Sequence, residues 1–134
     1  MPSVLFACVA NSARSQLAEA IARHLGPADL EVWSAGSRPS HVKPDVRTVL
    51  DELGIDHRGQ LSKGFYAVPL EEIDVAVTLC LEEVCPVFPG VTRTMHWPLP
   101  DPASAPDDER VEAFRAARDE LLRRIPMLLA ELSA

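Results

Sequence analysis

A cysteine and an arginine six residues apart near the N-terminus are the side chains best suited to chemistry in this sequence. An apolar run ends at Cys8, and an amphipathic pattern begins at Arg14. This order predicts a strand, a loop and a helix, with the loop presenting backbone N–H groups at the helix N-terminus. Such loops hold tetrahedral oxyanions, and their positive field together with the Arg14 guanidinium favours thiolate over thiol at Cys8. Cys8 is therefore predicted to act as a nucleophile.

The residues after Cys8 are predicted to form an oxyanion-binding loop. The predicted substrate-binding residues are Val9, Ala10, Asn11, Ser12, Ala13 and Arg14. Ser15 is also predicted to be catalytic, because it adds a hydroxyl near the sulfur. The alternative is a small buried apolar cysteine at a strand end, which is common for free cysteine. The flanking strand and helix favour the nucleophile, since all of these features fit one site.

Two later cysteines, Cys80 and Cys85, form a second group of reactive side chains. A predicted strand ends at Cys80, and four residues separate the two thiols. Zinc sites use tighter spacing and a second Cys or His pair, so no metal is predicted. Two buried structural thiols are the alternative, but a nucleophile at the same sheet edge favours a redox relay. A helical connector would hold their Cα atoms about 8–9 Å apart, beyond the roughly 4.4–6.8 Å of a disulfide, so their pairing requires a loop or unwinding.

Asp101, which lies between two prolines, is the acid of most interest. An Asp-Pro pair is ordinarily a turn, and that remains the alternative interpretation. Asp101 nevertheless follows the fourth predicted strand and therefore lies at the same sheet edge as Cys8. A carboxylic acid at that edge can donate a proton to the oxygen that leaves an attacked oxyanion.

The elements that position these residues alternate between strand and helix. Strands are predicted at 4–7, 30–35, 75–79 and 91–97; helices are predicted from Arg14 to the stop at Gly26-Pro27, over 44–53, and from Asp107 onward with a kink at Pro126. Alternation of this kind predicts an α/β fold of three layers, α/β/α, around a four-stranded parallel sheet. Ligands of such sheets bind beyond the carboxyl ends of the strands, where the predicted reactive residues lie.

The whole chain narrows the class of protein. It has 134 residues, a formal net charge of −7 and 47% hydrophobic residues, which predicts a single domain over 1–134. The sequence has no long apolar span or N-terminal signal segment, so we expect a cytoplasmic protein without membrane partners. Its acidity argues against nucleic-acid binding. Three cysteines without an export signal indicate thiol chemistry, and no bound cofactor is expected.

Several motifs together resemble a known family. The segment from Cys8 to Ser15, the Ser34-Ala35-Gly36 strand end and Asp101-Pro102 resemble the low-molecular-weight protein tyrosine phosphatase fold over nearly the whole chain. Within that superfamily, the motifs that are most similar to thioredoxin-coupled arsenate reductases are Thr78-Leu79-Cys80, Cys85-Pro86, His96-Trp97 and Asp101-Pro102. Phosphatase relatives carry aromatic residues after Asp-Pro, whereas Ala103-Ser104 follow here.

The resemblance implies a mechanism. Cys8 attacks arsenate held by the loop amides and Arg14, with phosphate or sulfate as analogues, while Asp101 assists the departure of hydroxide. Cys80 then attacks Cys8 and arsenite leaves. Cys85 next attacks Cys80, and thioredoxin, the external reductant, reduces the resulting disulfide. The alternatives are a low-molecular-weight phosphatase, which needs neither relay cysteine, and a redox sensor that does not turn over.

The resemblance also bears on potassium. Some relatives bind this ion near positions that match Asn11, Glu19 and Ser34, together with an acidic position that is matched here by Lys63. A lysine ammonium replaces the ion electrostatically, which predicts activity independent of potassium. The alternative is a solvated loop lysine, since lysine is seldom buried.

Overall fold

A computed structural model describes residues 2–81, 88, 91 and 93–133 of the chain. The strands are β1 (Ser3–Cys8), β2 (Glu31–Gly36), β3 (Val75–Thr78) and β4 (Arg93–His96), and the helices are α1 (Arg14–Leu25), α2 (Pro44–Asp51) and α3 (Arg110–Ser133). The strands form one sheet in the order β2-β1-β3-β4, and all three pairings are parallel. The predicted α/β fold with a four-stranded parallel sheet is therefore confirmed.

Strand β1 lies in the middle of the sheet and carries the first cysteine to its carboxyl end. All six of its residues are buried, as expected for an apolar strand paired on both sides. Cys8 is in register with Gly36 of β2, and the backbone N–H of Leu79 donates to the carbonyl of Ala7 at 2.9 Å. The ends of β1, β2 and β3 therefore meet at one edge.

The two faces of the sheet are covered by different kinds of structure. Val4 and Phe6 of β1 pack into a cluster with buried residues of α1, α2 and α3, here called the helix-side cluster. Leu5 and Ala7 point to the opposite face, as strand alternation requires. They join a second cluster, the far-side cluster, which includes Val68. Among the described residues that cover this second face are two short 3-10 turns, at Phe65–Ala67 and Leu70–Glu72.

The last helix begins three residues later than the sequence predicts and continues through its proline. Helix α3 runs unbroken from Arg110 to Ser133, with Pro126 inside it. Proline removes one backbone hydrogen bond within a helix and normally kinks or breaks it. Here Ile125 and Leu128, on either side of the proline, are both buried in the helix-side cluster, so tertiary packing maintains the helix across this position.

Helices α2 and α3 are joined by ion pairs at Glu52, the residue that follows α2. Its carboxylate accepts hydrogen bonds from Arg115 and from Arg118, and Arg118 also donates to the carbonyl of Val49 at 2.9 Å. Hydrogen bonds from Arg115 and then Arg118 lower the pKa of Glu52 from its ordinary value of 4.5 to about 2. The charged carboxylate therefore stabilises the packing of the two helices.

This ion-pair cluster predicts a pH-dependent stability. Because folding lowers the pKa of Glu52, its contribution is complete above about pH 4.5 and disappears as the pH falls through about 2. We expect Glu52→Gln to lower the free energy of unfolding at pH 7, and the difference from the unchanged protein to shrink between those values. Urea denaturation at a series of pH values measures this difference in the free energy of unfolding. Glu31→Gln is the control, because Glu31 is an exposed glutamate of β2 with no ion pair among the described residues. An equal pH dependence for both variants would contradict the prediction.

Two kinds of feature are missing from the described residues. No helix in this part of the chain combines the length and the apolar character needed to cross a bilayer. Within the same residues, no three or more His, Cys, Asp or Glu side chains come together as a group that could hold a metal ion. The relay cysteine Cys85 and the connector 82–87 lie outside the described residues.

Candidate active site

Residues 8–14, here called the anion loop, surround a small cavity between β1 and α1. Its volume is about 140 Å³, and it is lined by Cys8, Val9, Ala10, Ser12, Ala13, Arg14 and Asp101. The cavity thus unites Asp101 with a loop that lies far from it in the sequence. Of the predicted substrate-binding residues, only Asn11 does not line the cavity. A space of this size suits one tetrahedral oxyanion.

The cavity opens onto a sulfur that already has a polar neighbour. Cys8 Sγ lies 2.8 Å from Ser15 Oγ, and both side chains are buried. Asn11 Nδ2 donates to the same Oγ at 2.8 Å. Because Ser15 Oγ accepts from Asn11, its own hydrogen is available to the sulfur.

Asn11 occupies an unusual backbone conformation that accounts for its inward side chain. Its φ of 49° lies in the left-handed region, which asparagine tolerates better than most residues. The side chain is fully buried beneath the loop, where Oδ1 accepts from the backbone N–H of Lys63 at 2.8 Å. Asn11 therefore supports the loop from inside.

The carbonyl groups of the anion loop are directed away from the cavity and bonded to the segment 37–43. Three backbone N–H groups of this segment donate to carbonyls of the loop: Arg38 N to Val9 O (2.8 Å), Ser40 N to Ala10 O (3.2 Å) and Lys43 N to Ser12 O (2.9 Å). Because N–H and C=O of a peptide point in opposite directions, carbonyls bonded on the outside leave loop amides available to the cavity. Gly36 allows the close approach, since a Cβ there would lie 2.3 Å from Val9 O.

Arg14 is fixed by backbone carbonyls from two other parts of the chain. Its Nη1 donates to Leu79 O at 3.3 Å and to Leu99 O at 3.0 Å, and the residue is only 3% exposed. These carbonyls follow β3 and β4. The guanidinium is thereby held rigidly at the wall of the cavity, where its charge favours both an anionic ligand and a thiolate.

Asp101 forms a turn and also lines the cavity. It precedes a short 3-10 turn over Pro102–Ser104, and its Oδ1 accepts the N–H of Ala103 at 3.0 Å. This is the geometry of a turn residue. The turn also holds the carboxyl group at the cavity, opposite the sulfur-bearing loop. The turn interpretation and the acid interpretation are therefore compatible.

The backbone of Cys80 lies near the backbone of Cys8 in space, across the pairing of β1 with β3. It is fully buried, two residues after the end of β3. The ladder places Leu79 beside Cys8, because Ala7 pairs with Thr78. With strands about 4.8 Å apart and a rise of about 3.3 Å per residue, the Cα atoms of Cys8 and Cys80 are roughly 6 Å apart. This separation is within the range that a disulfide spans.

Lys63 is paired with a buried acid rather than solvated. Its Nζ lies 3.4 Å from Glu19 Oε1 and donates to Leu61 O at 3.1 Å. Glu19, only 1% exposed, also accepts from Ser34 Oγ at 2.5 Å and from Arg23 Nη1 at 2.7 Å. An ammonium this close to the carboxylate does not fit a potassium ion bound by the same oxygen. Independence from potassium stays a prediction.

Sequence reasoning missed the part played by Gln16. Helical periodicity alone gives no reason to bury a glutamine beside Ser15, yet the structure buries every residue of α1 from Arg14 to Ala22. The available signal was a polar residue in the first turn of a helix that follows a binding loop. That signal is weak, because polar residues are common at helix starts.

Comparison with known proteins gives a consistent result. The family model for low molecular weight phosphotyrosine protein phosphatase matches residues 3–134. A glutaredoxin arsenate reductase of Synechocystis sp. is 35% identical over 135 residues, which cover 99% of this chain and 100% of that protein. These matches extend over almost the whole sequence rather than over the anion loop alone.

Solved structures agree with this assignment. An arsenate reductase in the phosphate binding state has a TM-score of 0.86 and 35% identity, covering 98% of this chain and 99% of that chain. A thioredoxin-dependent arsenate reductase of Corynebacterium glutamicum has a TM-score of 0.69 and 31% identity, covering 95% of this chain and 63% of that chain. The resemblance predicted from the motifs is confirmed. The chain therefore belongs to the low molecular weight phosphotyrosine protein phosphatase family, in which it groups with the arsenate reductases.

Proposed function

We propose that this protein is an arsenate reductase in which Cys8 attacks the substrate and Cys80 and Cys85 carry the oxidation away. The observation that carries the proposal is the cavity of about 140 Å³ in which Cys8, Arg14 and Asp101 meet. Loop amides and a guanidinium supply the positive field that a small oxyanion needs. A relative solved in the phosphate binding state supports oxyanion binding at such a loop.

The first step forms a bond between sulfur and arsenic. The Cys8 thiolate attacks As(V), and one hydroxyl group of the arsenate departs as water after taking a proton from the Asp101 carboxylic acid. Ser15 stabilises the thiolate before attack by donating its hydroxyl, which lies 2.8 Å from Sγ. Arg14 and the loop amides bind the remaining oxygens, which stay negatively charged throughout.

The second step is the reduction itself. The Cys80 thiolate attacks Cys8 Sγ, a disulfide forms, and the sulfur–arsenic bond breaks with its electron pair passing to arsenic. Arsenic is thereby reduced from As(V) to As(III) and leaves as arsenite, while two thiols are oxidised to one disulfide. The backbone separation of roughly 6 Å between these cysteines supports this pairing.

The third step restores the enzyme. Cys85 attacks Cys80, Cys8 is released as a thiol, and an external dithiol reduces the Cys80–Cys85 disulfide. The Corynebacterium relative is thioredoxin-dependent, which supports thioredoxin as the reductant here. The Synechocystis relative is a glutaredoxin arsenate reductase, so glutaredoxin with glutathione is the second candidate. The assignment of Cys85 rests on its position in the sequence.

Phosphatase activity is the main alternative. It needs only Cys8, Arg14 and Asp101, all of which line the cavity. Ala103 and Ser104 follow Asp101-Pro102, and neither has a ring that could stack on an aryl phosphate. We therefore expect any hydrolysis of aryl phosphates to be weaker than arsenate reduction.

The decisive experiment measures arsenate-dependent NADPH oxidation with thioredoxin and thioredoxin reductase. We expect sustained turnover that Cys80→Ser reduces at least 100-fold, because arsenite release needs the second thiol. A parallel assay with p-nitrophenyl phosphate, and a further one with glutaredoxin and glutathione, identify the competing functions. If the protein hydrolyses the phosphate ester, and arsenate causes no NADPH oxidation with either thioredoxin or glutaredoxin present, the result would indicate a phosphatase. Turnover of neither substrate would indicate a redox sensor.

A further inference from the structure

Gln16 lies beneath the anion loop, where none of the steps above uses it. It is fully buried, and its Nε2 is 3.0 Å from each of three acceptors, Asn11 O, Asn11 Oδ1 and Leu61 O. We propose that Gln16 is a positioning residue: it holds the Asn11 amide in the one orientation that lets Ser15 donate its hydrogen to Cys8. The proposal rests on the proposed function for the role of Cys8 as nucleophile.

The direction of these hydrogen bonds follows from a group that can only donate. The backbone N–H of Lys63 lies 2.8 Å from one end of the Asn11 amide, so that end must be the acceptor Oδ1. The opposite end is then Nδ2, which donates to Ser15 Oγ. Gln16 strengthens this assignment, because its Nε2 donates to the same Oδ1.

The orientation of Gln16 is determined in the same way. If its amide were turned by 180°, Oε1 would face three oxygen acceptors at about the distances where Nε2 now donates. That arrangement would leave buried acceptors unpaired and opposed, which costs the full desolvation penalty of those groups. Gln16 therefore has one stable orientation, and together with the Lys63 N–H it holds Asn11 in one orientation.

The consequence reaches the sulfur through Ser15. A serine hydroxyl has a single hydrogen, and Ser15 Oγ already accepts from Asn11 at 2.8 Å. Its hydrogen is then left for Cys8 Sγ, also 2.8 Å away. If Asn11 turned over, Oδ1 would face the hydroxyl and compete for that hydrogen, and the thiolate would lose its donor. Gln16 thus favours the ionised form of Cys8 without touching it.

A second glutamine nearby provides a matched control. Gln60 is 6% exposed, and its Nε2 donates to the backbone carbonyl of Gln16 at 2.8 Å. It bonds to the helix backbone and not to Asn11. Replacement of either glutamine removes one buried amide from the same region, but only replacement of Gln16 removes a donor to Asn11.

The test compares Gln16→Met with the unchanged protein by alkylation of Cys8 with iodoacetamide across a range of pH. Cys80 and Cys85 are replaced by serine throughout, so that only Cys8 reacts. We expect the rate at a fixed, mildly acidic pH to fall about tenfold, because less of the sulfur is thiolate. The whole pH profile should move by about one unit to higher pH, while the rate on its alkaline plateau stays the same. A general loss of structure would change the plateau.

The controls separate this proposal from the proposed function. Gln60→Met should keep the profile of the unchanged protein, and an equal shift in both variants would overturn the role of Gln16. An unshifted profile for folded Gln16→Met would overturn it too. A profile of the unchanged protein in the range of an ordinary exposed thiol would instead contradict Cys8 as an activated nucleophile.

If Gln16→Met does not fold, NMR of the intact protein tests the proposal. The Gln16 side-chain amide signals should change as Cys8 ionises, and this change should be absent in Cys8→Ser. Gln16 signals that do not change as Cys8 ionises would overturn the proposal.

Discussion

Replacing Gly36 with alanine is expected to lower kcat/KM for arsenate by about 100-fold or more. A Cβ at this position would lie 2.3 Å from Val9 O, 2.8 Å from Asn11 N and 2.9 Å from Val9 C. All three are backbone atoms, so no side chain can rotate away and the anion loop itself must move. A displacement of about 1 Å of a catalytic group is enough to lose about 100-fold in rate.

The matched control for this change is Gly54→Ala. Gly54 has a φ of +67°, and an added Cβ would meet nothing within 4 Å. Alanine there strains the backbone by about 1–2 kcal/mol but leaves the anion loop untouched. We therefore expect lower thermal stability with unchanged kcat/KM. Steady-state kinetics and phosphate binding by calorimetry measure both variants. Normal kinetics for Gly36→Ala would show that the loop does not depend on this close approach.

The second large effect is expected for Arg14→Lys, which keeps the charge and loses the planar group. Arg14 donates to Leu79 O and Leu99 O and also lines the cavity. A lysine ammonium cannot maintain this fixed fork of donors while also facing the substrate. Loss of one oriented donor to an oxyanion typically reduces kcat by about 100-fold to 1,000-fold, and we expect kcat/KM to fall in that range.

Arg23→Lys tests whether this loss is specific. Arg23 is on the same helix, its side chain is half exposed, and it pairs with Glu19 at 2.7 Å. Lysine can keep that ion pair, so we expect nearly unchanged kcat/KM and phosphate affinity. Parallel kinetics for the two variants decide the matter. If both lose activity equally, the effect comes from α1 as a whole rather than from the guanidinium at the cavity.

The sheet and the anion loop could be predicted because their signals are local. The apolar run before Cys8 indicates a buried strand, and the helical spacing from Leu17 onward indicates α1. The position of Asp101 beside the loop follows from topology, since the carboxyl ends of parallel strands share one edge. Its presence at the cavity agrees with that rule. The catalytic roles of these residues stay predictions.

The buried contacts of Gln16 could not be predicted, because they join it to a segment far away in the sequence, whereas Glu19 and Lys63 were brought together only by the family resemblance. Gln16 and Glu19 are buried within α1, where an amphipathic pattern would assign polar residues to solvent. Their partners include Leu61 and Lys63, in a loop without helical or strand periodicity. Only the folded arrangement reveals that Gln16 Nε2 and the Glu19 carboxylate find partners, whereas Gln16 Oε1 has none among the described residues.

The outward bonding of the loop carbonyls has a consequence for selectivity. Because carbonyls of the anion loop are held from behind by the segment 37–43, the loop amides present the same donors to arsenate and to phosphate, two tetrahedral ions of like charge. A site of this kind binds both ions, and phosphate in excess should compete for it. Discrimination must then come after entry, at the transfer of two electrons from sulfur, which arsenic(V) accepts and phosphorus(V) does not.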